Sequence, residues 1–434
     1  MRTRDGYRSL RIRQISAAVT AAYLKAQAPF YAPLKTSLSL SRGQGVPTFT
    51  RATTATVLAY LPGAIPGDSP VLQTAAIGEA RFQNARRISQ GVYSTTFADG
   101  TPLPDNATTQ IGYYAEPAAT NLALQSNSVG TSPWAVNGSP GSAGGNASIF
   151  GGASATKITR TGSNAGWYQL GTVTATPYTD SVYLKVLSAS AGAVLRIGSD
   201  IGGNFFAEVN LQTLAVTGYS TSASSVTAVG GGWYRFQATF TPAAGLASLL
   251  CYVFSDDSQV LVDGYQRELV SVATSPIYTT SAPVTRNADA LSYQATGNVL
   301  PGVGMALLSF TPTKLNNYIS QEMLNLDASG AQNGRACCSF GEGTVNIFDG
   351  ATAVSSGSAA NGVRSKSASS WGGSKMSQST NGAIATGAFG GSMTATQIWV
   401  GTSQIGSETF NGTISDLYIW QRALSDAQLQ MVTK

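Results

Sequence analysis

The 434 residues are enough for two or three domains, yet Asp, Glu, Lys and Arg make up only 11% of them and histidine is absent. Without histidine there is no Ser-His-Asp triad, no Cys-His dyad and no His-containing zinc site, and a hydrophobic share of 43% excludes a disordered chain. The net charge of +5 is uneven: twelve Lys/Arg and four Asp/Glu among residues 1–100 leave +8 there and −3 in the remainder.

At the start, Leu10, Ile12, Ile15, Val19, Tyr23 and Leu24 recur at helical spacing until Pro29, which predicts a helix. Arg2, Arg4, Arg8, Arg11 and Arg13 surround that stripe without interleaved aromatics, which points to a protein surface, or a solvated helix face, rather than to nucleic acid. The segment does not read as a signal peptide, because alanine-rich amphipathic sequence follows the arginines in place of a compact apolar core and cleavage site. No stretch is long and apolar enough to span a membrane, so no membrane insertion is expected. The helix would dock on a neighbouring protein through Arg8, Leu10, Arg11, Arg13, Ile15 and Val19, or bundle with itself at a three-fold axis.

Pro33, Pro47, Pro62 and Pro66 then break any long element, and short runs such as TATVLAY read as strands. Residues 126–152 are dense in Gly, Ser and Asn like a linker, although Trp134 implies local packing. From 154 to 285 the runs SVYLKVLSA, AVLRIGSD, FFAEVNLQ, GWYRFQATFTP, SLLCYVFSDD and QVLVDGYQREL alternate apolar with polar residues at the spacing of a sandwich meander. The same style returns over 300–422, and Ser425 caps a short amphipathic helix at the end. The expected fold is mainly β: an N-terminal region with one helix and irregular structure (1–118), then two β-sandwich domains (119–290 and 291–434).

Cys251, Cys337 and Cys338 form neither a disulfide framework nor a CxxC pair and read as small buried apolar residues. No GxxxxGK[ST] is present, so nucleotide chemistry is not expected. Glycoside hydrolysis needs two placed carboxylates; the sandwiches hold few acids and no ExDxE pattern, and the chain is read as a non-enzyme without cofactors. FSDDSQVLVDG clusters Asp256, Asp257 and Asp263, which suits either Ca²⁺ or a β-turn capped by its own side chains; the turn is the preferred reading. For sugar binding, which uses exposed aromatics beside amides or charges, the candidates are Trp371 and Asn381, with Trp167 and Tyr168 behind them. In the strand of Trp233 and Tyr234, which alternates with Arg235 and Gln237, at least one aromatic is core.

The motifs FTRATTATV (49–57), GEARF (78–82), GYYAEPAATNLALQS (112–126), GGWYRFQATF (231–240) and ATSPIYTTSAPVTRNADALS (273–292), in this order, resemble those of bacteriophage fibre and virion-appendage proteins. FNGTISDLYIWQRALSDAQLQ (410–430) is similar to the last strand and helix of laminin-G-like, concanavalin-A-like domains. The resemblance implies a jelly roll similar to carbohydrate-binding modules, then a lectin-like sandwich, in a virion structural protein that forms a homotrimer. Its implied partners are other virion proteins (a tail adaptor, a portal-proximal or a capsid protein) and host surface polysaccharide. Assembly in the bacterial cytoplasm and release by lysis would place it on the virion, as a tail fibre or as a head fibre or capsid decoration; a glycan depolymerase is the third reading. The run ARFQNARR (80–87) would supply basic contacts, unless Arg81, Arg86 and Arg87 pair with internal acids.

Overall fold

A computed structural model describes the chain except residues 1–19, 139, 161–164, 202, 255–256, 314, 316–320, 327–333, 340–342, 392 and 404–407, and except the side chains of 140–143, 160 and 165. The fold is mainly β, with helix only at residues 20–26 and Asp426–Thr433 among the described residues. Every pairing between the named strands is antiparallel.

The middle of the chain is a continuous jelly roll. One six-stranded sheet runs Ala135–Asn137, Ala165–Val173, Gly245–Phe254, Val194–Ser199, Phe205–Asn210, Val216–Tyr219. The other runs Pro140–Asn146, Ala155–Arg160, Gln259–Glu268, Tyr178–Ser188, Trp233–Phe240, Thr221–Gly230. The alternation predicted from sequence sorts the residues: Val182, Leu184, Phe236, Leu249, Cys251, Val253, Val260 and Val262 enter the core between the sheets, while the intervening positions face outward.

The second sandwich is assembled from both ends of the chain. Its eight-stranded sheet joins Gly304–Pro312, Ser365–Gly372, Lys375–Thr380, Ala383–Ala388 and Gly412–Trp420 to the short strands Phe30–Ala32, Phe82–Gln83 and Gly112–Ala115. Its seven-stranded sheet begins at Thr48–Thr50 and Ala290–Gln294 and ends at Ala353–Ser358. Residues 1–118, expected as an attachment region preceding two sandwiches, thus contribute strands to both sheets of this composite sandwich. The register locks them in place: Phe30 lies opposite Ile419, and Tyr114 opposite Thr413. Phe30, Tyr113, Tyr293, Phe310, Trp371, Phe410 and Leu417 share its core.

The expected N-terminal helix is present where the chain is described, at residues 20–26. Leu24 packs with Trp420, Leu429 and Val432, and the Trp420 indole donates to the Leu24 carbonyl at 3.2 Å. The closing helix Asp426–Thr433 has a capping box in which Ser425 and Gln428 satisfy each other's backbone N–H. All three cysteines are free and buried, and desolvation pushes the Cys251 and Cys337 thiols up to about 12.

The jelly roll leaves and re-enters the composite sandwich through two adjacent strands, Ala119–Asn121 and Val284–Arg286, which pair with each other. A hairpin of the N-terminal region, Ala55–Ala59 with Val71–Ala75, leans across to the jelly roll. There Leu72 packs against the group formed by Tyr183, Trp233 and Leu261. Gly230 has φ +88 and a Cβ on it would meet the Pro70 carbonyl at 2.7 Å, so only glycine allows this approach.

Candidate functional site

The structure buries Trp371 and Trp167 and commits Asn381 to a turn. Trp371 is fully buried: the serine-rich SSWGG run is a strand, and its indole fills the space left by Gly304, where a Cβ would lie 2.6 Å from the ring. Trp167 belongs to the jelly-roll core, against Gly130, and its neighbour Tyr168 is half-buried on the opposite face of that strand. Asn381 sits at a hairpin tip with φ 49, but its Oδ1 accepts from the Lys366 N–H at 3.0 Å and its Nδ2 donates to the Ser358 carbonyl at 3.0 Å. These residues do not come together. An exposed stacking surface cannot be built from side chains that the fold needs as filler and turn.

Of the Asp256–Asp257 pair, Asp256 lies outside the described residues. Asp257 is exposed with φ 61 and receives the Ser188 hydroxyl on its backbone carbonyl, the geometry of a turn. Asp263 is buried, bonded to Ser148 at 2.5 Å, and pushed up to about 6 by desolvation. The docking residues Arg8, Leu10, Arg11, Arg13, Ile15 and Val19 all lie outside the described residues. The basic run after them turns inward: Arg87 pairs with Glu79 at 2.7 Å, Arg86 donates to the Thr96 carbonyl at 2.7 Å, and Arg81 is entirely buried.

What the fold does create is a cleft of about 490 Å³ between the two sandwiches, within the range of sites that hold small ligands. One wall is the outward face of the jelly-roll strands Tyr178–Ser188, Trp233–Phe240 and Thr221–Gly230. Register places Tyr183, Arg235 and Thr227 in one row across them, and Ser181, Gln237 and Ser225 in the next. The opposite wall comes from the composite sandwich, with Tyr114, Gln110, Thr313 and Asn361, and the leaning hairpin closes one side with Thr56, Leu58 and Leu72.

Most of the lining residues carry a hydroxyl or an amide, set among the apolar side chains of Leu58, Leu72, Val229, Pro276 and Pro312. Gln237 donates to Ser225 at 2.9 Å, Tyr114 donates to Asn411 at 3.1 Å, and Gln110 donates to Ser415 at 2.6 Å. Arg235 lies over the Tyr183 ring at 5.3 Å and donates to Ser181 at 3.0 Å. Burial pushes the Tyr183 phenol up to about 12, so it stays a neutral donor.

Beneath the cleft lies a buried ionic joint. Arg81 reaches both Glu116, at 2.8 Å, and Asp289; Arg51 holds Asp289 at 2.8 Å and Arg286 approaches Glu116 at 3.4 Å. Ser275, which lines the cleft, gives its N–H and hydroxyl to Glu116. Burial alone would raise the Glu116 pKa, but Arg286, Arg81 and Ser275 outweigh it and hold that carboxyl at about 2.

A second acidic pair lies on the seven-stranded sheet. Glu322 and Glu408 share Arg335 at 2.9 and 3.2 Å. Burial, with the hydrogen bond from its neighbour carboxyl, raises Glu322 to about 8. Both carboxyls are committed to the same guanidinium, whereas a hydrolytic pair faces a sugar across about 5–9.5 Å.

The sequence signal for the cleft was the alternation itself. Once Phe236 and Ala238 are assigned inward, Arg235 and Gln237 must point out, on the face that Trp233 shares. Nothing local, however, indicates that a second sandwich faces them.

No family model matches the chain, and no curated protein matches it. Among solved structures, it is similar to the CBM40 of Ruminococcus gnavus IT-sialidase bound to α2,6-sialyllactose (20% identity over 33% of this chain and 92% of that one, TM-score 0.27). It is also similar to the N-terminal CBM22-1–CBM22-2 tandem domain of Paenibacillus barcinonensis Xyn10C (12% identity, 74% and 95%, TM-score 0.26). A third is the LG4-5 pair of mouse laminin α1 (13% identity, 67% and 96%, TM-score 0.23).

Proposed function

We propose that the protein is a non-catalytic glycan-binding component of a virion, most simply a tail fibre, which holds a surface polysaccharide in the cleft between its jelly roll and its composite sandwich. One observation carries the binding part of this reading: a cleft of about 490 Å³ in which hydroxyl and amide side chains alternate with apolar ones, the complement of a sugar with its hydroxyls and its apolar ring faces. The virion part rests on the ordered motifs between Phe49 and Ser292, and attachment through the N-terminal segment goes with it.

The test has two arms. Full-length protein is titrated against host surface polysaccharide, and Gln237→Ala should weaken binding about tenfold while leaving the unfolding midpoint in place. No new reducing ends should appear during the incubation; their appearance would replace the adhesin with a depolymerase. Intact particles are then labelled with an antibody against residues 300–434 and imaged by electron microscopy. Label at the tail supports the fibre, and label spread over the head makes the protein a capsid decoration.

A further inference from the structure

Resting on the glycan reading of the cleft, we propose that Arg235 is its specificity-determining residue and selects polysaccharides that carry an anionic substituent, a carboxylate or a sulfate ester. Arg235 is the only charged side chain in the described lining, which contains no carboxylate. The fully buried arginines are treated differently: Arg51, Arg81, Arg267 and Arg286 each have a carboxylate within 3.4 Å. Among the described residues Arg235 donates to the Ser181 hydroxyl and, at 2.5 Å, to the Thr274 carbonyl, and no carboxylate lies within ion-pair distance of it. Its Nε has no hydrogen-bond partner. The Tyr183 ring at 5.3 Å holds the guanidinium plane without neutralising it.

The surroundings add to the positive field. In the ionic joint, the three guanidiniums of Arg51, Arg81 and Arg286 face the two carboxylates of Glu116 and Asp289, a balance of +1 directly behind Ser275. The acids nearest Arg235 lie behind the wall. Glu268 is wholly buried and already engaged by Thr274 and Gln266, and Asp263 is buried against Ser148. Burial raises both carboxyls, and the Arg235 charge acts against that rise at Glu268. Arg235 Nη2 makes both the Ser181 and the Thr274 bond, which leaves Nη1 to meet an oxygen of a carboxylate or sulfate, and such charge-assisted bonds are about twice as strong as bonds between neutral groups.

The full-length protein is applied to an array of neutral, uronic-acid-containing and sulfated oligosaccharides, at low and at high salt. Binding should be about tenfold or more tighter to one anionic class than to the neutral parents, and should weaken with salt. The preferred class identifies the anion as carboxylate or sulfate. Arg235→Gln should remove the preference, Arg235→Lys should keep part of it, and circular dichroism should report a retained fold. Gln237→Glu, which sets a carboxylate beside the guanidinium, should remove the preference without deleting the arginine. Neutral glycans bound as well as anionic ones, with binding lost in Gln237→Ala, would overturn the specificity and leave the glycan site standing. Anionic binding that survives both Arg235→Gln and Gln237→Glu would assign it to the basic N-terminal segment and overturn the proposal. Binding to no class would count against the glycan site and this proposal together.

Discussion

Where the jelly roll leaves and rejoins the composite sandwich, three arginines and two carboxylates are shut away from water; in the cleft beside them, one arginine is the only charge in the described lining. Ser275 belongs to both, with its backbone and hydroxyl on Glu116 and its side at the cleft. The difference shows how a chain with 11% charged residues uses them. Charges buried at the joint are paired, because a lone charge there would be expensive. The cleft is left to neutral donors and acceptors, which lose little when water is exchanged for a ligand's hydroxyls.

The comparison breaks most directly at Arg81. Arg81→Met leaves Glu116 and Asp289 buried without their shared partner and should cost about 3–5 kcal/mol, read as a lower midpoint in urea unfolding. A loss within the scatter of surface substitutions would mean that the joint does not fasten the sandwiches. Trp371→Ala should cost a similar or slightly smaller amount, about 3–5 kcal/mol, because it empties the composite core. At temperatures where that variant is folded, its glycan binding should match the parent; a binding defect at unchanged stability would return Trp371 to the surface.

pH separates the two acidic clusters by sign. Glu116, held at about 2, contributes stability that is present above the ordinary carboxylate range and is lost as pH falls from there through about 2. Glu322, raised to about 8, does the reverse: its contribution is complete below the ordinary range and is lost as pH rises through about 8. Glu322→Gln should therefore flatten the alkaline limb of a thermal-midpoint profile and leave the acid limb alone. If both limbs move together, the clusters are not independent. The smallest expected effect is on the cleft wall: Thr227→Val should change stability by less than about 0.5 kcal/mol while reducing glycan binding several-fold in a titration.

The jelly roll was readable from sequence because its strands are long and carry alternating runs, as where Phe236, Ala238 and Phe240 alternate with Arg235, Gln237 and Thr239. The closing helix was readable from Ser425 and Gln428. The composite sandwich was not, because Phe30–Ala32, Thr48–Thr50 and Gly112–Ala115 are three or four residues long and find their partners hundreds of positions away. Such strands carry no periodicity of their own; the register of the partner defines them. Trp371 misleads for a related reason. Its serine neighbours look like loop, yet Ser367, Ser369 and Ser370 are buried and bonded to Thr380, Gln378 and the Leu424 backbone. The cleft was hidden most completely, since its walls combine residues from 56 to 413.

The central claim, that the space between the sandwiches is the glycan site, is tested most directly by a crystal structure of the protein with its tightest-binding oligosaccharide. The account predicts sugar density between the Thr227–Arg235 row and the Tyr114–Thr313 wall. Sugar found instead on the outer face of either sandwich, with the cleft holding only water, would contradict it.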